Sequence, residues 1–241
     1  MSATDVHAAR RAALVEGLRG GLVVSCQAPA GSPLRHPEHM AAMARAAELA
    51  GAVAIRADGP AFVAAIRAAV KLPIIGIDKR PDIDPVAYIT PCLASVTALV
   101  AAGADLVAVD GTARPRSAGA AATPAELIAQ VRAAHPDLPV MADVAELAEG
   151  VSAAAAGADI VATTLSGYTG PPPPPAGPDL VLVEALVASQ PRPVIAEGRY
   201  ATPEEVRAAF AAGAHAVVVG TAITDTLALA RRFVAAAGLP H

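Results

Sequence analysis

The sequence predicts an α/β protein, a (β/α)8 TIM barrel with an extra N-terminal helix, built as a single domain over residues 1–241. Three observations carry that expectation. A pattern of Ala-Gly-Ala leading into a short apolar run occurs four times. Further short apolar runs, most of them opened by a proline, fall between the copies. Helical sequence fills the gaps, and the length is close to the roughly 250 residues that such barrels use.

Residues from about 4 to 19 read as an amphipathic helix ahead of the barrel. Arg10, Arg11 and Arg19 interrupt it too often for a secretory signal, so a soluble cytoplasmic protein is expected. The first strand is Gly21-Leu-Val-Val-Ser-Cys26. The repeat then supplies the even strands: Ala50-Gly-Ala-Val-Ala-Ile-Arg-Ala-Asp58, Ala102-Gly-Ala-Asp-Leu-Val-Ala-Val-Asp110, Ala156-Gly-Ala-Asp-Ile-Val-Ala-Thr-Thr164 and Ala212-Gly-Ala-His-Ala-Val-Val-Val-Gly220. In each copy the glycine follows an Ala-rich helix, where it can take the left-handed conformation that ends one. Pro73-Ile-Ile-Gly-Ile77, Pro139-Val-Met-Ala-Asp143 and Pro193-Val-Ile-Ala-Glu197 complete the odd strands. Proline suits the first residue of a strand and stops the preceding helix. The four odd strands are polar only at their ends, as strands covered on both faces should be.

Thr123-Pro-Ala-Glu126 and Thr202-Pro-Glu-Glu205 are helix starts, with Thr as N-cap, Pro at the first helical position and Glu at the third. An open doubly wound sheet would alternate in the same way. Its first turn usually carries a glycine-rich loop, however, and Ser25-Cys26-Gln27 stands in that place. One segment breaks the rhythm. Pro171–Pro175, after strand six, favours polyproline II geometry and reads as a stiff spacer, with a lid or a subunit contact as the alternative.

Composition narrows the function. Only 2% of residues are aromatic and none is Trp, so the core must be Val, Ile, Leu and Ala. A net charge of -4 leaves no basic footprint for nucleic acid or an acidic membrane. The uncharged run between Arg207 and Asp225 is too short to span a bilayer and reads as a helix end, a turn and a strand. Cys26 and Cys92 make no disulfide framework and are expected to be buried thiols.

Active sites of such barrels lie at the C-terminal strand ends. Here those ends read Gln27, Arg56, Lys79, Asp110, Asp143, Thr163-Thr164, Glu197 and Gly220-Thr221. A ring of ionisable groups aimed at one place is costly to desolvate unless it is used. Each has an ordinary alternative. Asp110 and Asp143 could cap helices, Arg56 and Asp58 could be a solvated surface pair, and Lys79-Arg80 an exposed loop dipeptide. Glu197, between Val-Ile-Ala and Gly-Arg, should be partly buried. His36, Glu38 and His39 read as solvated rather than as a metal site. Gly198, Arg199, Gly220 and Thr221 place backbone amides and a guanidinium after strands seven and eight, where barrels commonly hold phosphate.

Together these strand ends resemble the N-acylglucosamine-6-phosphate 2-epimerase family. The matching motifs are Ser25-Cys-Gln27, Ala54-Ile-Arg56, Gly76-Ile-Asp-Lys79, Ile89-Thr-Pro91, Asp110-Gly-Thr-Ala-Arg-Pro-Arg116, Met141-Ala-Asp143, Thr163-Thr-Leu-Ser-Gly-Tyr-Thr169, Glu197-Gly-Arg199 and Gly220-Thr-Ala-Ile-Thr224. The resemblance implies interconversion of N-acetylmannosamine 6-phosphate and N-acetylglucosamine 6-phosphate, in sialic acid breakdown, with no organic cofactor and no metal. It implies proton transfer by Lys79 and Glu197, and substrate contacts from Gln27, Arg56, Asp143 and Thr164. The expected partners are the phosphosugar and a second copy of the chain in a homodimer.

Three departures bear on this. Asp225 stands where the family often has a phosphate-binding arginine, and would repel the phosphate if it pointed inward. Asp78 replaces an apolar residue before the lysine, and would raise the lysine pKa if close. Ala145 stands where Ser or Thr commonly follows the Met-Ala-Asp motif. Inverting C2 requires removing a proton α to the open-chain aldehyde, and a lysine does so only if its pKa falls toward neutrality. Whether one base or two handle that proton stays open, as does the role of Glu197 as partner acid or in ring opening. A Schiff-base aldolase using Lys79, another phosphosugar isomerase, and a non-catalytic phosphosugar-binding protein are the competing readings.

Overall fold

The computed structural model describes residues 2–170 and 176–238. Helix α1 (Ala3–Glu16) precedes eight parallel strands: β1 (Leu22–Cys26), β2 (Ala54–Asp58), β3 (Ile74–Ile77), β4 (Leu106–Asp110), β5 (Val140–Asp143), β6 (Ile160–Ala162), β7 (Val194–Glu197) and β8 (Ala216–Val219). They pair in chain order, and β8 pairs back onto β1 to close the barrel. Helices α2 (Pro37–Leu49), α3 (Pro60–Ala69), α4 (Leu93–Ala101), α5 (Pro124–Ala134), α6 (Leu147–Ala155), α7 (Leu180–Ser189) and α8 (Pro203–Ala211) follow the first seven strands. A short α9 (Thr221–Thr224) and then α10 (Thr226–Ala236) follow β8. The expected (β/α)8 barrel is the observed one. No described helix is long and apolar enough to cross a membrane. The expectation for Pro171–Pro175 falls outside the described residues.

The repeat works as its glycines predict. Gly51, Gly103, Gly157 and Gly213 have φ of 92°, 101°, 100° and 91°, each just past an alanine C-cap. A side chain at these positions would be strained, so glycine sets where each helix stops and the next strand begins. Thr123 and Thr202 cap their helices as expected, accepting from the amides of Glu126 and Glu205. Each such cap is worth about 1 kcal/mol.

The apolar residues sort by strand parity into two layers. Val23, Ile75, Leu106, Met141, Ile160, Ile195 and Val218 fill the barrel interior, while Val24, Ile55, Ile74, Val107, Val140, Val161 and Val217 face the helices. Helix α1 closes the N-terminal end, with Val15 and the wholly buried Leu18 joining the interior cluster. It ends at Glu16, short of residue 19, and Gly17 is its cap. Charges at this end are absorbed by structure. Asp105 accepts from the Ile74 amide and Arg67, and Asp159, one repeat later, accepts from the Val140 amide and Arg132.

The buried-thiol expectation holds for Cys26, whose pKa burial pushes up to about 12, and is corrected for Cys92, which is only half-buried. Cys92 is the N-cap of α4, ahead of the helix rather than within the packed layers.

Candidate active site

The two-residue alternation of a strand decides which polar ends meet. Arg56 and Asp58 on β2, Asp143 on β5 and Glu197 on β7 share parity with the interior residues of their own strands, and so does Lys79, two residues past Ile77. At the C-terminal mouth lies a cavity of about 780 Å3, lined among others by Gln27, Asp58, Lys79, Thr164 and Glu197.

Beneath its floor is a buried ion network. Arg56, 1% exposed, forks onto Asp143 with Nη2–Oδ2 at 2.6 Å and Nη1–Oδ1 at 3.2 Å. Its Nη1 also donates to Glu197 Oε2 at 2.6 Å. Thr164 Oγ1 lies 2.6 Å from Asp143 Oδ1 and 3.2 Å from Glu197 Oε2. Arg56 and Asp58 are therefore no solvated surface pair, and Asp143 caps no helix, because the N-cap of α6 is Glu146. Asp110 is held instead by Thr112, Arg114 and Arg116. Burial works against the Arg56 charge, but Asp143 and Glu197 outweigh it and hold its pKa above the usual arginine value. Removing one partner from such a network typically costs about 3–5 kcal/mol, because a buried charge is left uncompensated.

Glu197 is the member that reaches the cavity. Burial drives its carboxyl up to about 7, Arg56 pulls it back, and the neighbouring Asp143 charge adds to the rise. Its Oε1 has no hydrogen-bond partner among the described residues. The Thr163 hydroxyl fixes its main chain from both sides, accepting from the Glu197 amide at 3.0 Å and donating to its carbonyl at 2.9 Å.

Lys79 stands across the mouth. β3 and β7 are four strands apart in an eight-strand ring, so Lys79 and Glu197 approach from opposite walls. Lys79 Nζ donates to Gln27 Oε1 at 2.6 Å, and Gln27 Nε2 in turn donates to Ser25 Oγ at 2.8 Å. Desolvation lowers the Lys79 pKa, Asp58 opposes the shift, and Arg56 reinforces it. Asp78, of opposite parity, turns away from the cavity and accepts from Ser95 Oγ at 2.7 Å. The carboxylate that acts most on the lysine is Asp58, not its sequence neighbour Asp78.

The far end of the cavity is formed by the β7 and β8 loops. Gly198 and Arg199 both have positive φ, 110° and 61°, which for arginine is a strained conformation. The turn leaves the amides of Gly198 and Arg199 without protein acceptors, as are those of Thr221 and Ala222 at the start of α9, among the described residues. The Arg199 guanidinium is largely committed to structure. It donates to the Gly177 and Ser166 carbonyls at 2.6 and 2.5 Å and lies 5.4 Å over the Tyr168 ring, with Nη2 buried and unpaired. Asp225 Oδ1 accepts from the Ala228 amide as the N-cap of α10. Ala145 leaves no gap in helix capping, because Glu149 accepts from the amides of Ala145 and Glu146.

Sequence reasoning missed three contributors. Arg35, held by the Ala28 carbonyl at 2.7 Å and packed 5.4 Å over Phe62, lines the cavity and acts on Lys79. Arg232 lines it from α10, two turns beyond Asp225. The clamp by Thr163 was legible only as a polar residue at a strand end.

A family model described as "Putative N-acetylmannosamine-6-phosphate epimerase" matches residues 40–238. A protein of Cutibacterium acnes named "Putative N-acetylmannosamine-6-phosphate 2-epimerase" is 51% identical over 213 residues, covering 88% of this chain and 91% of that protein. One of the same name from Caldanaerobacter subterraneus is 45% identical over 221 residues, 92% of each chain. Among solved structures, the N-acetylmannosamine-6-phosphate 2-epimerase from Clostridium perfringens superposes with a TM-score of 0.85 at 39% identity, covering 92% of this chain and 95% of that one. A thiamine phosphate pyrophosphorylase from Pyrococcus furiosus, at 19% identity and a TM-score of 0.56, shares the fold alone.

Proposed function

The chain belongs to the N-acetylmannosamine-6-phosphate epimerase family, and on that premise we propose that it interconverts N-acetylmannosamine 6-phosphate and N-acetylglucosamine 6-phosphate. The observation that carries the proposal is the pairing of a lysine whose pKa is lowered with a carboxyl whose pKa is raised, on opposed walls of one cavity. That is the arrangement for moving a proton on and off a carbon acid near neutral pH.

The C2 hydrogen of the open-chain sugar is acidified by the C1 aldehyde. Neutral Lys79 takes that proton; the C2–H bond breaks, its electrons move into the C1–C2 enolate, and the lysine becomes an ammonium held by Gln27. Glu197, protonated, delivers a proton to the opposite face, which inverts C2, and proton return from ammonium to carboxylate resets the site. Arg56 and Asp143 serve beneath the floor, aiming Glu197 Oε1 at the substrate, with Thr164 between them. The 6-phosphate is assigned to the amides of Gly198, Arg199, Gly220 and Thr221, with Arg232 as the nearby cation. Arg199 shapes this cradle through its carbonyl contacts.

The working unit is a single-domain barrel paired as a homodimer. Helix α10 supports the pairing: it has no buried residue, and Phe233 is 78% exposed. Exposed Phe233 with its neighbour Val234, 37% exposed, suits a subunit contact. A cytoplasmic setting fits a phosphorylated substrate. The proposal is tested by giving the protein N-acetylmannosamine 6-phosphate and following the anomeric proton signals. Growth of the N-acetylglucosamine 6-phosphate signals supports it, and an unchanged spectrum at high enzyme concentration rejects it. Borohydride trapping of a covalent adduct on Lys79 would favour a Schiff-base aldolase instead.

A further inference from the structure

Lys79 lies beyond the end of β3, where the barrel's own ladder no longer holds the chain. The β2–β3 ladder continues as far as the Gly59 amide on the Ile77 carbonyl, at 2.7 Å. The next rung is made by a side chain. Asp58 Oδ1 accepts from the Lys79 backbone amide at 3.0 Å, and its Oδ2 sits 3.9 Å from Lys79 Nζ. The other edge of Lys79 is held by an isolated antiparallel bridge to Ile89.

The ordinary use of an aspartate at this place would be to cap α3. It is not so used, because the N-cap is Gly59 and no side chain bonds to the first turn. The residue is buried, at 9% exposed, and it lines the cavity beside the lysine. A carboxylate kept there with one oxygen on the main chain and the other near the ammonium calls for a reason beyond helix capping.

We propose that Asp58 is a positioning residue for proton transfer: one oxygen pins the Lys79 main chain past the end of the sheet, and the other steadies the ammonium that forms when Lys79 accepts the C2 proton. This rests on the reading of Lys79 as the base. The charged groups that act on Lys79 are Asp58 and Arg56 from β2, Glu197 from β7 and Arg35 from the loop after β1, while Gln27 contributes an uncharged acceptor. Asp78 and Arg80, its neighbours in sequence, are engaged with Ser95 and Asp82. Burial and the two arginines favour neutral lysine, the form that removes a proton. Asp58 balances them, so that the protonated intermediate is not prohibitively costly.

The chain makes the test direct, because Lys71 and Lys79 are its only lysines. Carbon-labelled lysine gives one signal for each, and an NMR titration reads Lys79 against the exposed Lys71. Asp58→Asn keeps an acceptor for the Lys79 amide and removes the charge. The expected result is a Lys79 midpoint lower by about one pH unit or more, with Lys71 unmoved. In kinetics, kcat should fall while KM stays within a few-fold. Asp58→Ser, which also keeps an acceptor, gives the same reading should the amide disturb the strand end. Coincident Lys79 titrations in variant and wild type would overturn the proposal. The titration does not depend on turnover, so it separates failure of the Asp58 assignment from failure of the epimerase reading, which Lys79→Ala retaining activity would show.

Discussion

Replacing Glu197 by glutamine removes a titration while keeping size and hydrogen-bonding shape. The folded carboxyl titrates near 7 against an unfolded value of 4.5. Because the folded value is raised, its contribution to stability is fully present below 4.5 and is lost as the pH rises through 7. Between pH 5 and pH 8 the wild type should therefore lose on the order of 2 kcal/mol that the Gln variant does not lose. For a chain of this size that corresponds to roughly 4–8 °C in Tm. Arg56 keeps its two-pronged contact with Asp143, so the variant is expected to fold and to bind N-acetylglucosamine 6-phosphate nearly as wild type. Turnover should fall by about 10²–10⁴-fold, the usual loss when one proton-transfer group is removed. The assay is thermal unfolding at several pH values beside steady-state kinetics. Parallel Tm–pH curves would refute the raised carboxyl, and a normal rate would remove Glu197 from the chemistry.

Lys79→Ala should lose about 10²–10⁴-fold in kcat with unchanged circular dichroism, and a rate within a few-fold of wild type would exclude it as the base. Unphosphorylated N-acetylmannosamine should be turned over far more slowly than the 6-phosphate, and equal rates would disprove the phosphate cradle. Arg232→Ala should raise KM by about tenfold with little change in kcat, the expected loss of one charge-assisted phosphate contact, and an unchanged KM would place the phosphate elsewhere. Truncation of α10 should yield a monomer in sedimentation if that helix carries the dimer contact, whereas an intact dimer would place the interface on another face.

The barrel was legible because glycine and proline punctuate it. Positive-φ glycines and strand-opening prolines fix boundaries locally, with no long-range information. Strand β6 shows the limit: its run was read to Thr164 but ends at Ala162, because the chain turns there, the Ser166 amide donating back to the Thr163 carbonyl at 3.1 Å. Lys79 likewise read as the end of strand three and lies beyond it, held by the Asp58 carboxylate. The ring of polar strand ends was visible, but the partners within it were not. Arg56 meets residues 87 and 141 positions away, and only barrel closure brings them together. Strand parity alone would have separated Asp78 from Asp58, since one faces the helices and the other the cavity. Nothing local to Arg35 or Arg232 marks either as a cavity residue.

The central claim is that this cavity breaks and remakes the C2–H bond of the phosphosugar, and heavy water tests it most directly. In deuterated buffer with N-acetylmannosamine 6-phosphate, the account expects N-acetylglucosamine 6-phosphate carrying deuterium at C2, and no such label with Lys79→Ala. Product that forms with its original C2 hydrogen, or label that appears equally with the Lys79 variant, would contradict it.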